Sequence, residues 1–169
     1  FLTMKVKIKF KNEEAKRLYL EASENKSIFP FKKHSTDFCY DAVAVSCEEI
    51  APNVYKYGLG VAFQIERDKE DAGKNFCLSV DVRPRSSICK TGMVLSNATG
   101  TVDEDYTGEV SVVMYHLLTS LPKYEVGDRV CQIKIGITSQ IEFVEVDSLD
   151  NTTRGDGGYC LRLRSDGNR

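Results

Sequence analysis

The sequence predicts an all-β protein, a sandwich or barrel of short strands with one peripheral helix near its start. Three observations lead there. Apolar residues recur in many short, strand-length runs, turn-forming residues punctuate those runs, and only one segment has helical spacing. Strands that follow one another without intervening helices close into sandwiches or barrels rather than parallel α/β sheets.

Residues 4–10 read Met-Lys-Val-Lys-Ile-Lys-Phe, a faultless alternation that puts one face in a core and one in water. Residues 13–25 then carry Ala15, Leu18, Tyr19 and Ala22 on one side of a helix. Further strands are expected at 40–46, 58–65, 76–82, 93–96, 109–118, 129–138 and 142–146. The run 66–75 (Glu-Arg-Asp-Lys-Glu-Asp-Ala-Gly-Lys-Asn) is a charged excursion between two of them and reads as a solvated loop. From residue 148 Asp, Asn, Thr, Gly and Arg dominate. The chain therefore divides into one β domain over 1–147 and a flexible C-terminal arm over 148–169.

Composition bounds the function. The 169 residues suit a single core, with 41% hydrophobic and 28% charged residues, as in soluble proteins. Lys and Arg number 23 against 25 Asp and Glu, a net charge of -2, which excludes coating of a polynucleotide but leaves room for a small anion. No apolar run is long enough for a bilayer and no export signal is visible, so a cytoplasmic location away from membranes is expected. The six cysteines are scattered without a C-x-x-C pair, which argues for reduced core thiols rather than zinc.

Three stretches carry chemistry. Arg83-Pro84-Arg85-Ser86-Ser87 follows a strand and offers forked and short donors for phosphate, or else forms a polar strand-to-helix turn. In residues 100–109, glycines bracket the acidic cluster Asp103-Glu104-Asp105 beside Tyr106. This reads as a hairpin whose carboxylates could hold Mg²⁺ or act as a general base, or as a solvated tip. Arg154-Gly155-Asp156-Gly157-Gly158-Tyr159 combines a cation, close-approach glycines and a stacking face, against the plainer reading of an idle terminus. His34 and His116 have no Ser or Cys arranged around them, so a nucleophilic triad is set aside.

In order along the chain, these stretches resemble the five motifs of the trimeric dUTP pyrophosphatase (dUTPase) family. The first is matched by Phe38-Cys39-Tyr40-Asp41-Ala42-Val43-Ala44, which keeps Asp41 and Ala44 but loses the family's Ala-Gly opening. The second appears as Pro84-Arg85-Ser86, and residues 91–97 are similar to the family's uracil-binding strand. The third, residues 100–108, is nearly complete; the fourth runs Gly127-Asp128-Arg129-Val130-Cys131-Gln132-Ile133; the fifth begins at Arg154. After Tyr159 the chain departs, with Cys160-Leu161-Arg162-Leu163 where the family has hydroxyl residues for the γ-phosphate.

The resemblance implies a distorted jelly roll, a homotrimer with shared active sites, and hydrolysis of dUTP to dUMP and pyrophosphate. That reaction limits uracil incorporation into DNA and supplies dUMP for thymidylate synthesis. By the same resemblance, Asp103 would activate the attacking water and Tyr106 would pack under the deoxyribose. Asn97 and nearby backbone would read uracil, with Gly100 and Val102 among the substrate-binding positions. Arg85, Ser86, Ser87 and Gln132 would hold phosphate oxygens, and Asp41 would position waters on a Mg²⁺ carried by the triphosphate. Arg154 would meet phosphates, and Gly158 and Tyr159 would belong to a lid. Two rivals are a non-catalytic binding module of the same fold and a dCTP deaminase. The deaminase branch needs a Glu at the position that aligns with Val113, and valine cannot move a proton.

Overall fold

The computed structural model describes residues 5–23, 31–66 and 76–155. The N-terminal alternation forms β1 (Lys5–Phe10), whose lysines face water while Val6, Ile8 and Phe10 pack on the core. It pairs antiparallel with β5 (Val61–Glu66) along its whole length, from Lys5 opposite Glu66 to Phe10 opposite Val61.

Between them in sequence lies α1 (Glu13–Ala22). The Asn12 side chain caps it by accepting from the Ala15 N–H at 2.9 Å, and Glu13 and Glu14 suit the positive end of the helix dipole. Arg17 bridges Glu14 and Glu21 on the exposed face. The helix ends at Ala22, short of the expected 25, because Ser23 turns extended; residues 24 and 25 lie outside the described residues. Tyr19 is its anchor: the ring is fully buried and its hydroxyl donates to the Leu59 carbonyl at 2.8 Å.

Two four-stranded antiparallel sheets make the body. One has the order β2 (Tyr40–Val43), β10 (Arg129–Ser139), β6 (Phe76–Arg83), β8 (Gly100–Val102). The other has the order β3 (Ser46–Ala51), β4 (Val54–Gly58), β9 (Ser111–His116), β7 (Met93–Leu95). Ala42, Val80, Val82 and Ile133 of the first meet Tyr57, Leu95, Val112 and Met114 of the second in one core. This is an all-β, jelly-roll-like arrangement with its helix on the outside.

Several expectations change in detail. The strand expected at 40–46 stops at Val43 and resumes as β3, and β4 was missed. The strand expected at 58–65 starts at Val61, because the Gly60 backbone is left-handed (φ 65°) and interrupts the run. The strand expected at 142–146 is absent: the segment is rich in β-forming residues but pairs with no strand among the described residues, leaving Phe143 93% exposed. The excursion at 66–75 lies outside the described residues apart from Glu66, the last residue of β5. β7 and β9 do pair, as a hairpin reading of 100–109 requires, but their connection crosses to the other sheet, where β8 pairs with β6. No described helix is long and apolar enough to cross a membrane.

Candidate active site

The phosphate-type residues gather on the outer face of the β2–β10–β6 sheet. Gln132 of β10 lies directly opposite Asp41 on one side and Arg83 on the other. Arg129 and Gln132 are three residues apart and in a regular strand would point to opposite faces. A bulge between Arg129 and Cys131 inserts Val130, so Val130 and Cys131 both enter the core while Arg129 and Gln132 stay on the cleft side. The tight turn before β10 needs Gly127 (φ 96°) and is closed by the Asp128 carboxylate, which accepts the Glu125 N–H at 2.8 Å.

Asp41 is the hub. Its two oxygens accept from Arg85 Nε at 2.8 Å and Nη2 at 3.3 Å, a forked pair, and Oδ2 also accepts from Arg129 Nη1 at 3.3 Å. Arg85 Nη1 is held by Ser87 Oγ at 3.1 Å and the Arg129 carbonyl at 3.2 Å, and Gln132 Nε2 donates to the Pro84 carbonyl at 2.9 Å. The side chains are only 14% (Asp41) and 22% (Arg85) exposed, so the guanidinium is fixed before any ligand arrives. Ser86 is exposed at the start of a short 3-10 turn, Ser86–Lys90, which realises the strand-to-helix reading of this stretch while lining the cleft.

These groups open onto a cleft of about 620 Å³, whose other wall is the loop 32–39. Ser87 supports Arg85 from behind rather than lining it. Cys131, next to Gln132, points into the core, and complete burial pushes its thiol well above the ordinary range, with Asp41 adding to the effect.

Asp103 and Tyr106 lie elsewhere, in a smaller pocket of about 230 Å³ with Thr101, Val102 and Glu109. The Tyr106 N–H donates to the Asp103 carbonyl and its hydroxyl to the Glu109 carbonyl, both at 3.1 Å, which lays the ring across Gly108. Glu109 is itself tied down, accepting from the Gly60 N–H at 3.1 Å and Lys11 Nζ at 2.9 Å. The Asp103 carboxylate is exposed. β8 stands three strand spacings from β2, roughly 14 Å, and Asp103 follows the end of β8 that faces away from Arg85. Within one chain the general-base candidate and the candidate phosphate cradle are therefore separate.

Gly100 is half-buried opposite Val82, and Asn97 is exposed on the turn leading to it, its amide beside the Gly100 α-carbon. Arg154 is exposed ahead of Gly155, whose N–H reaches Thr152 Oγ1 at 3.0 Å. Gly158 and Tyr159 lie outside the described residues. Sequence reasoning gave Arg129 no role, passed over Lys32 and Lys33, and considered His34 only for a triad; all four line the cleft. A basic tripeptide just before the Asp41 strand was the available signal.

Comparison with known proteins decides the family. The dUTPase family model matches residues 78–160. A deoxyuridine 5'-triphosphate nucleotidohydrolase from Nautilia profundicola is 34% identical over 158 residues, covering 92% of this chain and 96% of that protein. This chain belongs to the dUTPase family. The like-named protein of Clostridium novyi is 31% identical over 145 residues, 85% of this chain and 96% of its own. Among solved structures, a Staphylococcus bacteriophage 80alpha dUTPase mutant with dUpNHpp superposes with a TM-score of 0.67 at 16% identity, covering 93% of this chain and 97% of that one. A second mutant of the phage 80alpha enzyme gives 0.69 at 18% identity over 94% and 99%. These likenesses establish a shared dUTPase fold. Val113, the position at which a dCTP deaminase would need an acid, is a half-buried strand residue of β9 opposite Lys56.

Proposed function

We propose that this chain is a dUTP diphosphatase that hydrolyses dUTP to dUMP and pyrophosphate, using Asp103 as general base. The observation that carries the reading is the pre-organised Asp41–Arg85–Arg129 cluster, with Ser86 and Gln132 beside it, in a chain of the dUTPase family. Phosphoryl transfer requires charge neutralisation, in-line positioning and one base, and no covalent nucleophile.

In the reaction, Arg85, Ser86 and Gln132 hold phosphate oxygens while the Asp103 carboxylate takes a proton from water. The water oxygen bonds to the α-phosphorus as the bond to the bridging oxygen breaks, and pyrophosphate leaves with the electron pair. The Tyr106 ring packs under the deoxyribose and leaves no room for a 2′-hydroxyl, a steric rejection of ribose. Asn97, Gly100 and Val102 line the uracil side, and the 148–169 arm brings Arg154, Gly158 and Tyr159 to the bound nucleotide.

Since Asp103 and Arg85 are far apart in one chain, a working site takes them from different copies. This supports the homotrimer reading, with three shared sites. The apolar side chains left bare on 141–149, Phe143 and Leu149 (87% exposed) among them, are surface that such an assembly would cover.

The donors present suit Mg²⁺ only at one remove. Asp41 already accepts three hydrogen bonds from guanidiniums, and among the described residues no three Asp, Glu, His or Cys converge. Its carboxylate is thus suited to accept from waters of a Mg²⁺ that the triphosphate carries. When bound, the ion offsets phosphate charge. A structure of the phage phi11 dUTPase, TM-score 0.60 at 16% identity over 87% of this chain and 99% of that one, is described with a structural Mg(II) ion. The free thiols of Cys39, Cys47, Cys77, Cys89 and Cys131 support a reducing, cytoplasmic setting.

The test is product analysis with Mg²⁺ and each deoxynucleoside triphosphate in turn. dUMP and pyrophosphate from dUTP alone are expected. Deaminated product from dCTP, or no turnover at all, would overturn the reading.

A further inference from the structure

We propose that Lys32 and Lys33 form a second phosphate-recognition element, which receives the terminal phosphates of the triphosphate opposite the Arg85 cradle. The proposal rests on the dUTP reading above and names which part of the substrate this loop reads.

The charge of the cleft carries the inference. Its lining has four permanent cations, Lys32, Lys33, Arg85 and Arg129, and two carboxylates, Asp37 and Asp41. Without the lysines the formal charge would be nil, the two guanidiniums being offset by Asp37 and Asp41. A cleft neutralised by its own carboxylates has little net attraction for a polyanion. The lysines are what make it electropositive, and its concave shape focuses that field.

The loop is also built to hold them there. Phe31 is buried in the core, packed edge-on against Tyr19 at 6.4 Å, and its carbonyl accepts the Asp41 N–H at 3.1 Å. The residue just before the lysines is thus fastened to the strand residue at the hub of the cleft. Lys32 Nζ lies 4.5 Å from the centre of the Tyr40 ring, which lines the neighbouring apolar pocket, a cation–π contact that a bound phosphate would exchange for its own. The loop then turns back on itself: the Asp37 carboxylate accepts the His34 N–H at 2.9 Å, and the Asp37 N–H donates to the His34 carbonyl at 3.1 Å. Asp37 is thereby engaged in holding the turn.

Lys32 and Lys33 should therefore matter for a triphosphate and not for a monophosphate. The experiment is calorimetric titration of the whole protein with the non-hydrolysable α,β-imido analogue of dUTP and with dUMP, in Mg²⁺ at two salt concentrations. The Lys32→Ala/Lys33→Ala double variant should lose at least about tenfold in affinity for the imido analogue, with a shallower salt dependence, and keep wild-type affinity for dUMP. Lys32→Arg/Lys33→Arg, which keeps the charge, should bind the analogue as wild type does. An unchanged affinity for the analogue, an equal loss for dUMP, or a failure of the arginine variant to retain binding overturns the proposal while leaving the dUTP reading in place. A wild-type protein that binds neither nucleotide overturns both.

Discussion

Gly108→Ala should leave the fold standing and disable the nucleoside pocket. A β-carbon there would sit 2.5 Å from the Tyr106 hydroxyl oxygen, 2.6 Å from Cζ and 3.1 Å from Cε2. Ordinary contacts between such atoms are about 3.5 Å or more, so the ring must retreat by roughly 1 Å. Nothing forces the backbone to yield instead, because Tyr106 is already 48% exposed and can swing into solvent. The retreat breaks the 3.1 Å hydrogen bond to the Glu109 carbonyl, a loss of about 1 kcal/mol that is partly recovered from water. The functional cost is larger: displacing a positioning group by about 1 Å can reduce turnover by roughly a hundredfold. A continuous pyrophosphate-release assay with dUTP and UTP measures both expected effects, a fall of that order in kcat/KM for dUTP and a narrowed preference for dUTP over UTP. A thermal melt should move by less than about 4 °C. Wild-type selectivity in Gly108→Ala would refute the steric role given to Tyr106, and a collapsed melt would show that Gly108 serves the fold instead.

Three further outcomes follow from the same geometry. Arg85→Lys cannot reproduce the forked contact to Asp41, so kcat/KM for dUTP should fall by roughly ten- to a hundredfold, read in steady-state kinetics. Gly92→Ala would place its β-carbon 2.0 Å from the Leu118 carbonyl oxygen, against backbone that itself donates to the Gly92 carbonyl. It should destabilise the protein by roughly 1–3 kcal/mol, seen as a lower urea midpoint with an unchanged slope. Burial raises the Cys131 thiol and the Tyr57 phenol above their free values. The unfolded chain therefore loses those protons first. Stability from these groups is complete below about pH 8.5 and declines as pH rises past the free thiol and then the free phenol, near 10. Melting points taken from pH 8 to 10.5 should fall, and Cys131→Ala should flatten the early part of that fall.

The sequence revealed most where one periodicity served one partner. Residues 4–10 alternate because β5 covers one face only, and α1 showed itself because Tyr19 and Leu18 fall on a single stripe. The β3–β4 hairpin escaped notice because Glu48 and Glu49 sit on an edge strand with little to bury, although Pro52-Asn53 marks its turn and Asn53 adopts φ 60°. Residues 142–146 failed in the opposite sense: Phe143, Val144 and Val146 favour a strand, but the segment has no strand partner among the described residues. At the site, the motif order pointed to Asp41, Arg85 and Gln132, but Arg129 joined them only through the Val130 bulge, which no sequence period displays. Nor does a linear motif disclose that Asp103 and Arg85 face different pockets, since that depends on β8 pairing at the far edge of the sheet from β2.

The central claim is that water activated by Asp103 attacks the α-phosphorus of dUTP. Hydrolysis in ¹⁸O-labelled water, with mass analysis of both products from the wild type and from Asp103→Asn, tests it most directly. The account predicts the label in dUMP and none in pyrophosphate for the wild type, and for Asp103→Asn retained binding of dUTP with turnover abolished. Label in pyrophosphate, or wild-type turnover by Asp103→Asn, would contradict it.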